Sequence, residues 1–230
     1  MIKKLLLIFL VAITLVGCTG QKNFEYGLGK LNAVNSKYNT TIYTYPRNYN
    51  DTILMLAEVN ELKGIKLDSG QKAFDDLLKY RGLNLQAEKL FLEGQKFGAS
   101  GFTKDGFGCK ERPLIIESVA LRNQSALKGF GSYGLANSII EEYPYEANLA
   151  GLSPQKLLIT NVTFTVVYKD ARKDSSIINN FCPQNVTLDI YKQSLRKQAS
   201  AQILNLSEDY INNLSYGDAV KIYKQSRGFE

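Results

Sequence analysis

Serine–lysine pairs are the first arrangement in this chain that could do chemistry. A lysine three residues after a serine lies one helical turn away, where its amine can activate the hydroxyl as a nucleophile. The 230-residue chain has four such pairs, Ser69/Lys72, Ser125/Lys128, Ser153/Lys156 and Ser194/Lys197. Serine enzymes of this type also carry Lys-Thr-Gly or Lys-Ser-Gly, and neither tripeptide occurs here. The pairs therefore indicate a helical chain rich in serine and lysine, not a serine acyltransferase.

A glycine motif matches the pattern that cradles dinucleotide phosphates. Gly129-Phe130-Gly131-Ser132-Tyr133-Gly134 has the spacing G-x-G-x-x-G. That motif binds a dinucleotide only between a strand and a helix, with an acidic residue about twenty positions further on. Proline occupies position 154, about twenty residues beyond the last glycine. We therefore predict that these glycines allow close helix packing or a kink.

The remaining polar side chains do not form a recognisable catalytic or metal-binding set. The chain has no histidine, which removes the usual general base and the commonest transition-metal ligand. The neighbouring carboxylates Asp75-Asp76 and Glu141-Glu142 diverge by about 100° on a helix and cannot flank one bond. Walker and calcium-loop motifs are also absent from the sequence. The sequence thus predicts no catalytic residue, no metal site and no cofactor.

The N-terminus has the pattern of an export signal. Met1–Lys4 is a short basic segment, and Leu5–Val16 is apolar except for Thr14. Twelve helical residues rise about 18 Å, which is less than the ~30 Å hydrocarbon core of a bilayer. This segment therefore predicts a cleaved signal and not a lasting membrane span.

Cys18 follows the apolar segment directly, after Leu15-Val16-Gly17. These four residues resemble the lipobox of prokaryotic lipoproteins. The resemblance implies that residues 1–17 are a signal peptide and that Cys18 becomes the first residue and carries fatty acyl chains such as palmitate. It places the protein on the extracytoplasmic face of the cell membrane, held there by a lipid anchor. The alternative is an ordinary signal peptide that happens to end near a cysteine.

The net charge and the glycosylation motifs indicate which environment and partners to expect. The formal charge is +6, and +4 after Lys3 and Lys4 leave with the signal, which is a mild bias toward lipid headgroups. Because there is no dense basic cluster, we expect no nucleic-acid partner. Seven Asn-x-Ser/Thr sequons start at Asn39, Asn50, Asn123, Asn161, Asn185, Asn205 and Asn213. They fit either a surface glycoprotein, including one of archaeal origin, or an asparagine-rich composition.

Helical signals dominate the chain from residue 51 onward. Residues 18–50 are polar and rich in tyrosine and asparagine, which predicts a tether between the lipid and a helical domain of residues 51–230. Helix starts are predicted at capping residues, namely Asp51, Asp68 with Gln71, Asn84, Ser153 before Pro154, and Ser207. The predicted fold class is therefore all-α, a helical bundle.

Two long helices are predicted to form an antiparallel hairpin, from Pro113 to Tyr143 and from Pro154 to Cys182. Residues 158–168 leave an alternative open. Val162, Phe164 and Val166 alternate with polar residues, as in a strand, which would make the fold α+β. The helical stripe through Leu157, Phe164 and Ala171 continues over seven turns and favours a helix.

The hairpin predicts a disulfide between Cys109 and Cys182. Its arms would be nearly equal, about 45 Å and 43 Å, so the start of the first lies beside the end of the second. Cys109 lies just before the first arm and Cys182 ends the second. Two cysteines in an oxidising compartment pair more often than they catalyse.

The irregular stretch from Gly98 to Arg112 is the best candidate for a contact loop, because loops carry function more often than core helices do. Its candidate contact residues are Phe102, Lys104, Phe107, Lys110 and Arg112. The alternative is a plain connector held by Cys109.

Three stretches of the mature chain resemble uncharacterised exported helical proteins of archaea. They are Gly106-Phe107-Gly108-Cys109-Lys110-Glu111-Arg112-Pro113, Glu141-Glu142-Tyr143-Pro144 and Asn179-Asn180-Phe181-Cys182-Pro183. The resemblance implies no activity. We therefore expect a non-enzymatic binding or structural module for an unknown protein or surface polymer. The alternative is an exported hydrolase with a scattered active site, which a cleft holding Ser or Asp beside Lys or Glu would favour.

Overall fold

The computed structural model describes residues 22–46, 48–103, 106–107, 112–181 and 184–226. Within these residues the fold is all-α, as the sequence predicts. The helices are α1 (Phe24–Lys37), α2 (Tyr49–Glu61), α3 (Gln71–Gly101), α4 (Arg112–Glu142), α5 (Pro144–Leu149), α6 (Pro154–Phe181), α7 (Gln184–Ser200), α8 (Glu208–Asn213) and α9 (Tyr216–Ser226). A 3₁₀ turn, Leu62–Gly64, follows α2. The strands β1 (Phe102–Thr103) and β2 (Gly106–Phe107) form a two-residue antiparallel pairing.

The segment of residues 158–168 lies inside α6, so the strand alternative is wrong. A strand would bury Val162, Phe164 and Val166 on one face. The structure buries Phe164 at 5% exposure, whereas Val162 and Val166 are 54% and 52% exposed. The helical stripe is the buried one, because Leu157 and Ala171 lie in the core with Phe164. Seven turns of helical periodicity therefore outweigh a short alternating pattern.

The chain divides into two compact units. The first contains the described residues of Met1–Leu85 together with Gly131–Leu158, and the second contains those of Gln86–Phe130 and Ile159–Glu230. The first unit has one core, built on Phe24, Leu28, Leu31, Ile42, Met55, Val59, Ala73, Phe74, Leu77, Leu78, Tyr80, Leu85, Ala136, Ile139, Ala147, Leu152 and Leu157.

Helix α1 corrects the predicted tether. Residues 24–37 form a helix that Asn23 caps by accepting a hydrogen bond from the backbone of Tyr26. Phe24, Leu28 and Leu31 recur at helical spacing and are buried in the first core. The predicted tether of residues 18–50 is therefore wrong for this stretch, and the folded body begins before residue 51. Most residues of the predicted tether are polar, so its composition does not reveal the apolar stripe formed by Phe24, Leu28 and Leu31.

The caps also differ from the prediction in three places. Asn48, and not Asp51, caps α2: the Asp51 amide donates to Asn48 Oδ1 at 2.9 Å. Asp68 accepts the Lys22 amide at 2.8 Å and does not cap α3, which begins at Gln71. Asn84 lies in the interior of the 31-residue helix α3, so it starts no helix.

The caps at Ser153 and Ser207 are confirmed. Ser153 Oγ accepts the Lys156 amide at 3.4 Å, and Ser207 Oγ accepts the Tyr210 amide at 3.2 Å. The last predicted helix is divided into α8 and α9.

In the second unit, α4 and α6 pack as the predicted antiparallel hairpin. Near its start α4 contributes Ile115 and Val119 to a cluster with Ala171, and further along it Gly129 contacts Phe164. Residue numbers thus rise along α4 as they fall along α6. A separate cluster joins α7, α8 and α9 through Tyr191, Leu195, Ile211, Leu214, Ala219 and Tyr223.

Gly129 explains the glycine motif. A Cβ at this position would lie 2.2 Å from Phe164 Cγ, so only glycine lets the ring pack here. The motif residues lie within a single helix, α4, and not between a strand and a helix. Close helix packing is therefore confirmed as its role at Gly129, whereas a Cβ at Gly131 or Gly134 would meet open space.

Candidate functional site

A pocket of about 280 Å³, most of whose lining residues are of polar types, lies in the first unit. We call it the amide pocket after the two asparagines in its lining, Asn32 and Asn35. Its lining residues are Asn32, Asn35, Ser36, Thr40, Thr41, Ile42, Tyr43, Ala150, Gly151 and Lys156. They come from the end of α1, the loop after it, the end of α5 and the start of α6. No carboxylate is among these described lining residues.

The end of α1 builds one wall of the amide pocket. The Thr40 amide donates to Asn35 O at 2.9 Å, and the Asn39 amide donates to Ser36 O at 3.1 Å. Asn39 has a φ of 52°, in the left-handed region that such a C-terminal turn requires. The turn satisfies the last carbonyls of the helix and directs the chain from Thr40 to Tyr43 along the pocket.

The end of α5 builds the opposite wall with the same geometry. The Leu152 amide donates to Ala147 O at 2.9 Å, and the Gly151 amide donates to Asn148 O at 3.0 Å. Gly151 has a φ of 72°, a conformation that glycine adopts without strain. Helix α6 then begins after the Ser153 cap, and Lys156 lies in its first turn.

The Tyr43 hydroxyl connects the two walls through hydrogen bonds. Its hydroxyl donates to Gly151 O at 2.9 Å and accepts the Ser153 amide at 2.7 Å. Burial raises the pKa of Tyr43, so the hydroxyl stays neutral and keeps its donor. The Lys156 ammonium lies 5.5 Å from the centroid of the same ring. Tyr43 therefore fixes the shape of the pocket and carries a cation at its edge.

Asn35 is the unusual member of the lining. The residue is 3% exposed, and its backbone carbonyl accepts hydrogen bonds from both the amide and the hydroxyl of Thr40. Neither Nδ2 nor Oδ1 of its side chain has a hydrogen-bond partner among the described residues. A buried amide left without partners costs about 1–3 kcal/mol, so this lining residue carries an unpaired hydrogen-bonding group whose presence the fold alone does not explain.

Arg81 donates hydrogen bonds to the loop of residues 40–44, part of which lines the pocket. The residue is fully buried, and its guanidinium donates to Thr44 O at 2.9 Å, Thr40 Oγ1 at 3.1 Å and Ile42 O at 3.4 Å. Burial lowers the pKa of Arg81 to about 10, so it remains charged at neutral pH. No carboxylate pairs with it among the residues that the structure describes. Arg81 is thus a positioning residue whose charge is not compensated by any described carboxylate.

A larger pocket of about 520 Å³ lies in the second unit, lined by Phe91, Gln95, Gly98, Ala99, Ser118, Arg122, Asp170 and Asp174. Arg122 Nη2 lies 2.5 Å from Asp174 Oδ2, and Arg122 Nε donates to Ser118 O at 3.4 Å. The arginine therefore neutralises one of the two aspartates. These lining residues include neither lysine nor glutamate, so the combination of Ser or Asp with Lys or Glu is not found among them.

Two of the serine–lysine pairs have structural roles. Ser153 Oγ caps α6 through the Lys156 amide, as described above. Ser125 is fully buried and donates to Ala87 O at 2.7 Å. In the described hydrogen bonds these two hydroxyls therefore serve helix capping and packing.

The predicted contact loop is described only in part. Phe102 and Phe107 are backbone partners in the register of the β1–β2 pairing, and Lys104 and Lys110 lie outside the described residues. Arg112 begins α4 and is 7% exposed. Arg112 is therefore a buried residue of the second unit and not an exposed contact residue.

The Arg112 guanidinium lies 6.0 Å from the centroid of the Tyr216 ring, and burial raises the pKa of Tyr216. Cys18, Cys109 and Cys182 lie outside the described residues. The lipid anchor and the disulfide therefore stay predictions.

Neither a metal site nor a membrane span is found in the described part of the chain. None of its residues form a group of three or more metal-ligating side chains of the His, Cys, Asp or Glu type. None of its helices combines the length and the apolar character that crossing a bilayer requires. Comparison with protein-family models, with curated proteins and with solved structures finds no match to the chain. The function must therefore be argued from the pockets themselves.

Sequence reasoning missed the amide pocket. Asn35 and Tyr43 lie in the stretch that the composition assigned to a tether, and Arg81 lies within a predicted helix as an ordinary charged residue. One signal was available: an arginine among Leu77, Leu78 and Leu85 lies on or beside an apolar stripe, which indicates a buried cation.

Proposed function

We propose that this chain is a lipid-anchored binding module of the cell surface, without catalytic activity, which holds a small polar ligand in the amide pocket. The observation that carries the proposal is the Asn35 carboxamide, buried in the wall of the pocket with no partner among the described residues. A folded protein tolerates such a group where a ligand or ordered water completes its hydrogen bonds.

The pocket chemistry supports a polar ligand with both donors and acceptors. An amide side chain donates through its nitrogen and accepts through its oxygen, and the hydroxyls of Ser36 and Thr41 can do either. Ile42, Ala150, Gly151 and the Tyr43 ring supply the apolar part of the lining. A polyhydroxylated molecule fits this wall better than an apolar one, in keeping with a surface polymer as the partner.

The location of the module rests on residues outside the described part of the chain. Leu15-Val16-Gly17-Cys18 supports acylation of Cys18, and the apolar segment before it supports export. Two acyl chains would give stable membrane residence, whereas one chain alone is marginal. Intact-mass measurement of the protein purified from membranes should show a chain that begins at Cys18 with a diacylglyceryl-sized addition.

The ligand site is tested with Asn35→Ala and a matched asparagine. Asn84 is equally buried in the first unit, but its Oδ1 accepts from Ser132 Oγ at 2.7 Å and it does not line the pocket. We expect Asn35→Ala to keep the stability of the protein and to abolish binding of monosaccharides. Asn84→Ala should lower the free energy of unfolding by about 1–2 kcal/mol and leave binding intact.

The measurements are thermal unfolding and ligand-observed NMR on the full-length protein in detergent, with a panel of neutral and acidic monosaccharides. Undiminished binding by Asn35→Ala would contradict the proposed site. So would the reverse pattern, in which Asn35→Ala unfolds the protein and Asn84→Ala removes binding.

A further inference from the structure

We propose that the outward face at the start of α1 is a membrane-contact surface that binds the headgroups of acidic phospholipids. We call it the basic face and define it by Lys22, Tyr26 and Lys30. This inference rests on the lipid anchor of the proposed function and adds the part of the fold that meets the bilayer. It is carried by the charge of the face and by its short distance along the chain from Cys18.

The basic face lies on the side of α1 that is turned away from the core. Its three residues are exposed and recur at every fourth position, so they share one side of the helix. Leu28 and Leu31, on the other side, are buried in the first core. None of the three lines the amide pocket, so contact through this face leaves the pocket free for a ligand.

The charge of the face suits an acidic surface. The ammonium groups of Lys22 and Lys30 lie 6.0 Å and 5.4 Å from the centroid of the Tyr26 ring. Neither lysine forms an ion pair with a carboxylate among the residues that the structure describes. Glu25 lies about 100° around the helix from Tyr26, and it accepts a hydrogen bond from the Tyr145 hydroxyl at 3.3 Å. The two lysines are therefore placed to attract lipid phosphates.

Two exposed tyrosines suit the headgroup region of a bilayer. Tyr26 is 41% exposed, and Tyr145 of α5, which reaches the start of α1 through Glu25, is 64% exposed. Tyrosine has an apolar ring and a polar hydroxyl, and it is enriched where membranes meet water. Lysines beside such rings pack their apolar stems and keep their charges in the headgroup layer.

The chain between the anchor and the basic face is short. Lys22 is four residues after Cys18, and four residues span at most about 14 Å when fully extended. Acyl chains on Cys18 would therefore hold Lys22 near the headgroups. Lys30 lies eight residues further, about 12 Å along α1. It reaches the headgroups as well only if α1 lies along the bilayer, which is the orientation we infer.

Amine labelling of the acylated protein tests this contact. The protein is inserted from detergent into preformed vesicles of phosphatidylcholine, with or without phosphatidylglycerol, and labelled with an uncharged amine reagent before peptide mass spectrometry. We expect Lys22 and Lys30 to react at least about fivefold more slowly on the acidic vesicles, with the difference shrinking as salt rises.

Lys79 is the internal control for labelling. It is an exposed residue of α3, about 140° around that helix from Phe74, whose ring packs against Phe24 of α1. Lys79 therefore lies on the side of α3 that is turned away from α1. Its labelling rate should change by less than about twofold between the two kinds of vesicle.

A tryptophan probe gives an independent readout. The chain has no tryptophan, so Tyr26→Trp places a single reporter in the middle of the basic face. On acidic vesicles its emission should shift to the blue and be quenched by brominated lipid, and on neutral vesicles it should respond much less. Lys22→Gln with Lys30→Gln should remove this response, whereas Lys79→Gln should retain it.

The outcomes separate this inference from the proposed function. Equal labelling of Lys22 and Lys30 on the two kinds of vesicle would overturn the contact surface and leave the anchor standing. Slower labelling of Lys22 alone would also overturn it, because α1 would then point away from the bilayer. Protein that floats with neither kind of vesicle would contradict the lipid anchor itself, and the inference with it.

Discussion

At the scale of single residues, buried polar groups divide into those that complete the fold and those that do not. The Ser132 hydroxyl donates to Asn84 Oδ1 at 2.7 Å, and Thr52 donates to Asn48 O at 2.8 Å within the first turn of α2. These bonds each contribute about 1 kcal/mol to the stability of the fold. Asn35 and Arg81 differ: among the described residues the Asn35 side chain has no hydrogen-bond partner, and Arg81 has no carboxylate partner. They indicate a candidate site because Asn35 lines the amide pocket and Arg81 bonds two residues that line it.

Glu88 in α3 is expected to make stability depend on pH. Burial raises the pKa of its carboxyl from 4.5 to about 7. Between these values the folded chain binds the proton more tightly than the unfolded chain, so stability falls as pH rises from about 4.5 through about 7. At 1.36 kcal/mol per pKa unit the loss is at most about 3 kcal/mol, and partial exposure of the side chain reduces it.

We therefore expect Glu88→Gln to be more stable than the natural chain at pH 8, by about 1–3 kcal/mol, and similar to it at pH 4. Urea unfolding at pH 4, 6 and 8 measures this. Glu61→Gln, which changes an exposed carboxylate, is the control and should follow the natural chain. Parallel pH profiles for Glu88→Gln and the natural chain would rule out this role of Glu88.

At the scale of elements, the contact of α4 with α6 depends on the missing side chain of Gly129. Alanine there would place a Cβ 2.2 Å from Phe164 Cγ, and the buried ring must move. Overpacking of this kind costs about 1–3 kcal/mol, which exceeds the gain of up to about 1 kcal/mol that alanine brings to a helix interior.

The matched control is Gly131→Ala in the same helix, where an added Cβ has nothing within 4 Å. We expect Gly131→Ala to raise the free energy of unfolding by about 0.5–1 kcal/mol and Gly129→Ala to lower it. Denaturant midpoints of the two variants decide the question. Stabilisation by both substitutions would show that Phe164 moves aside at little cost.

Helices were predictable where an apolar stripe extends over many turns and where capping residues or proline mark the helix ends. The stripe through Leu157, Phe164 and Ala171, together with the Ser153-Pro154 start, correctly predicts α6 against a competing strand pattern. Helix α1 was missed because Phe24, Leu28 and Leu31 are its few large apolar residues among polar neighbours. The start of α2 was placed three residues late, since Asn48 and Asp51 are both good caps and only the tertiary fold selects one.

The amide pocket could not be predicted, because it depends on contacts between distant parts of the chain. Tyr43 and Gly151 are 108 positions apart, and a single hydroxyl joins them. Local periodicity predicts which residues form helices and which face the core. It does not determine which loop ends meet, and the pocket is formed by two such ends.

At the scale of the whole molecule, the proposed anchor and the two compact units imply a folded body held at a membrane surface. The first unit includes α1, whose N-cap is Asn23, five residues after Cys18. A lipid on Cys18 would therefore leave only a short stretch of chain before the first described helix. This arrangement suits a module that binds a ligand close to the surface to which it is anchored.

The α4–α6 pairing supports the predicted disulfide. In the second unit Ile115 and Val119 cluster with Ala171, and Arg122 pairs with Asp174. The start of α4 therefore packs near the last part of α6, as an antiparallel hairpin with nearly equal arms requires. Cys109 precedes α4 by three residues, and Cys182 follows the end of α6 at Phe181.

We predict that Cys109 and Cys182 form a disulfide that closes the open end of this hairpin. A loop of about seventy residues would stabilise the fold by about 4 kcal/mol in the chain-entropy model, because the crosslink restricts the unfolded chain. Mass spectrometry after alkylation in denaturant, with and without reductant, should show these cysteines modified only when reduced. Cys109→Ser should lower the denaturant midpoint to that of the reduced protein, and Cys109→Ser with Cys182→Ser should lower it no further. Two thiols that alkylate without reductant would overturn the bridge while leaving the helix pairing intact.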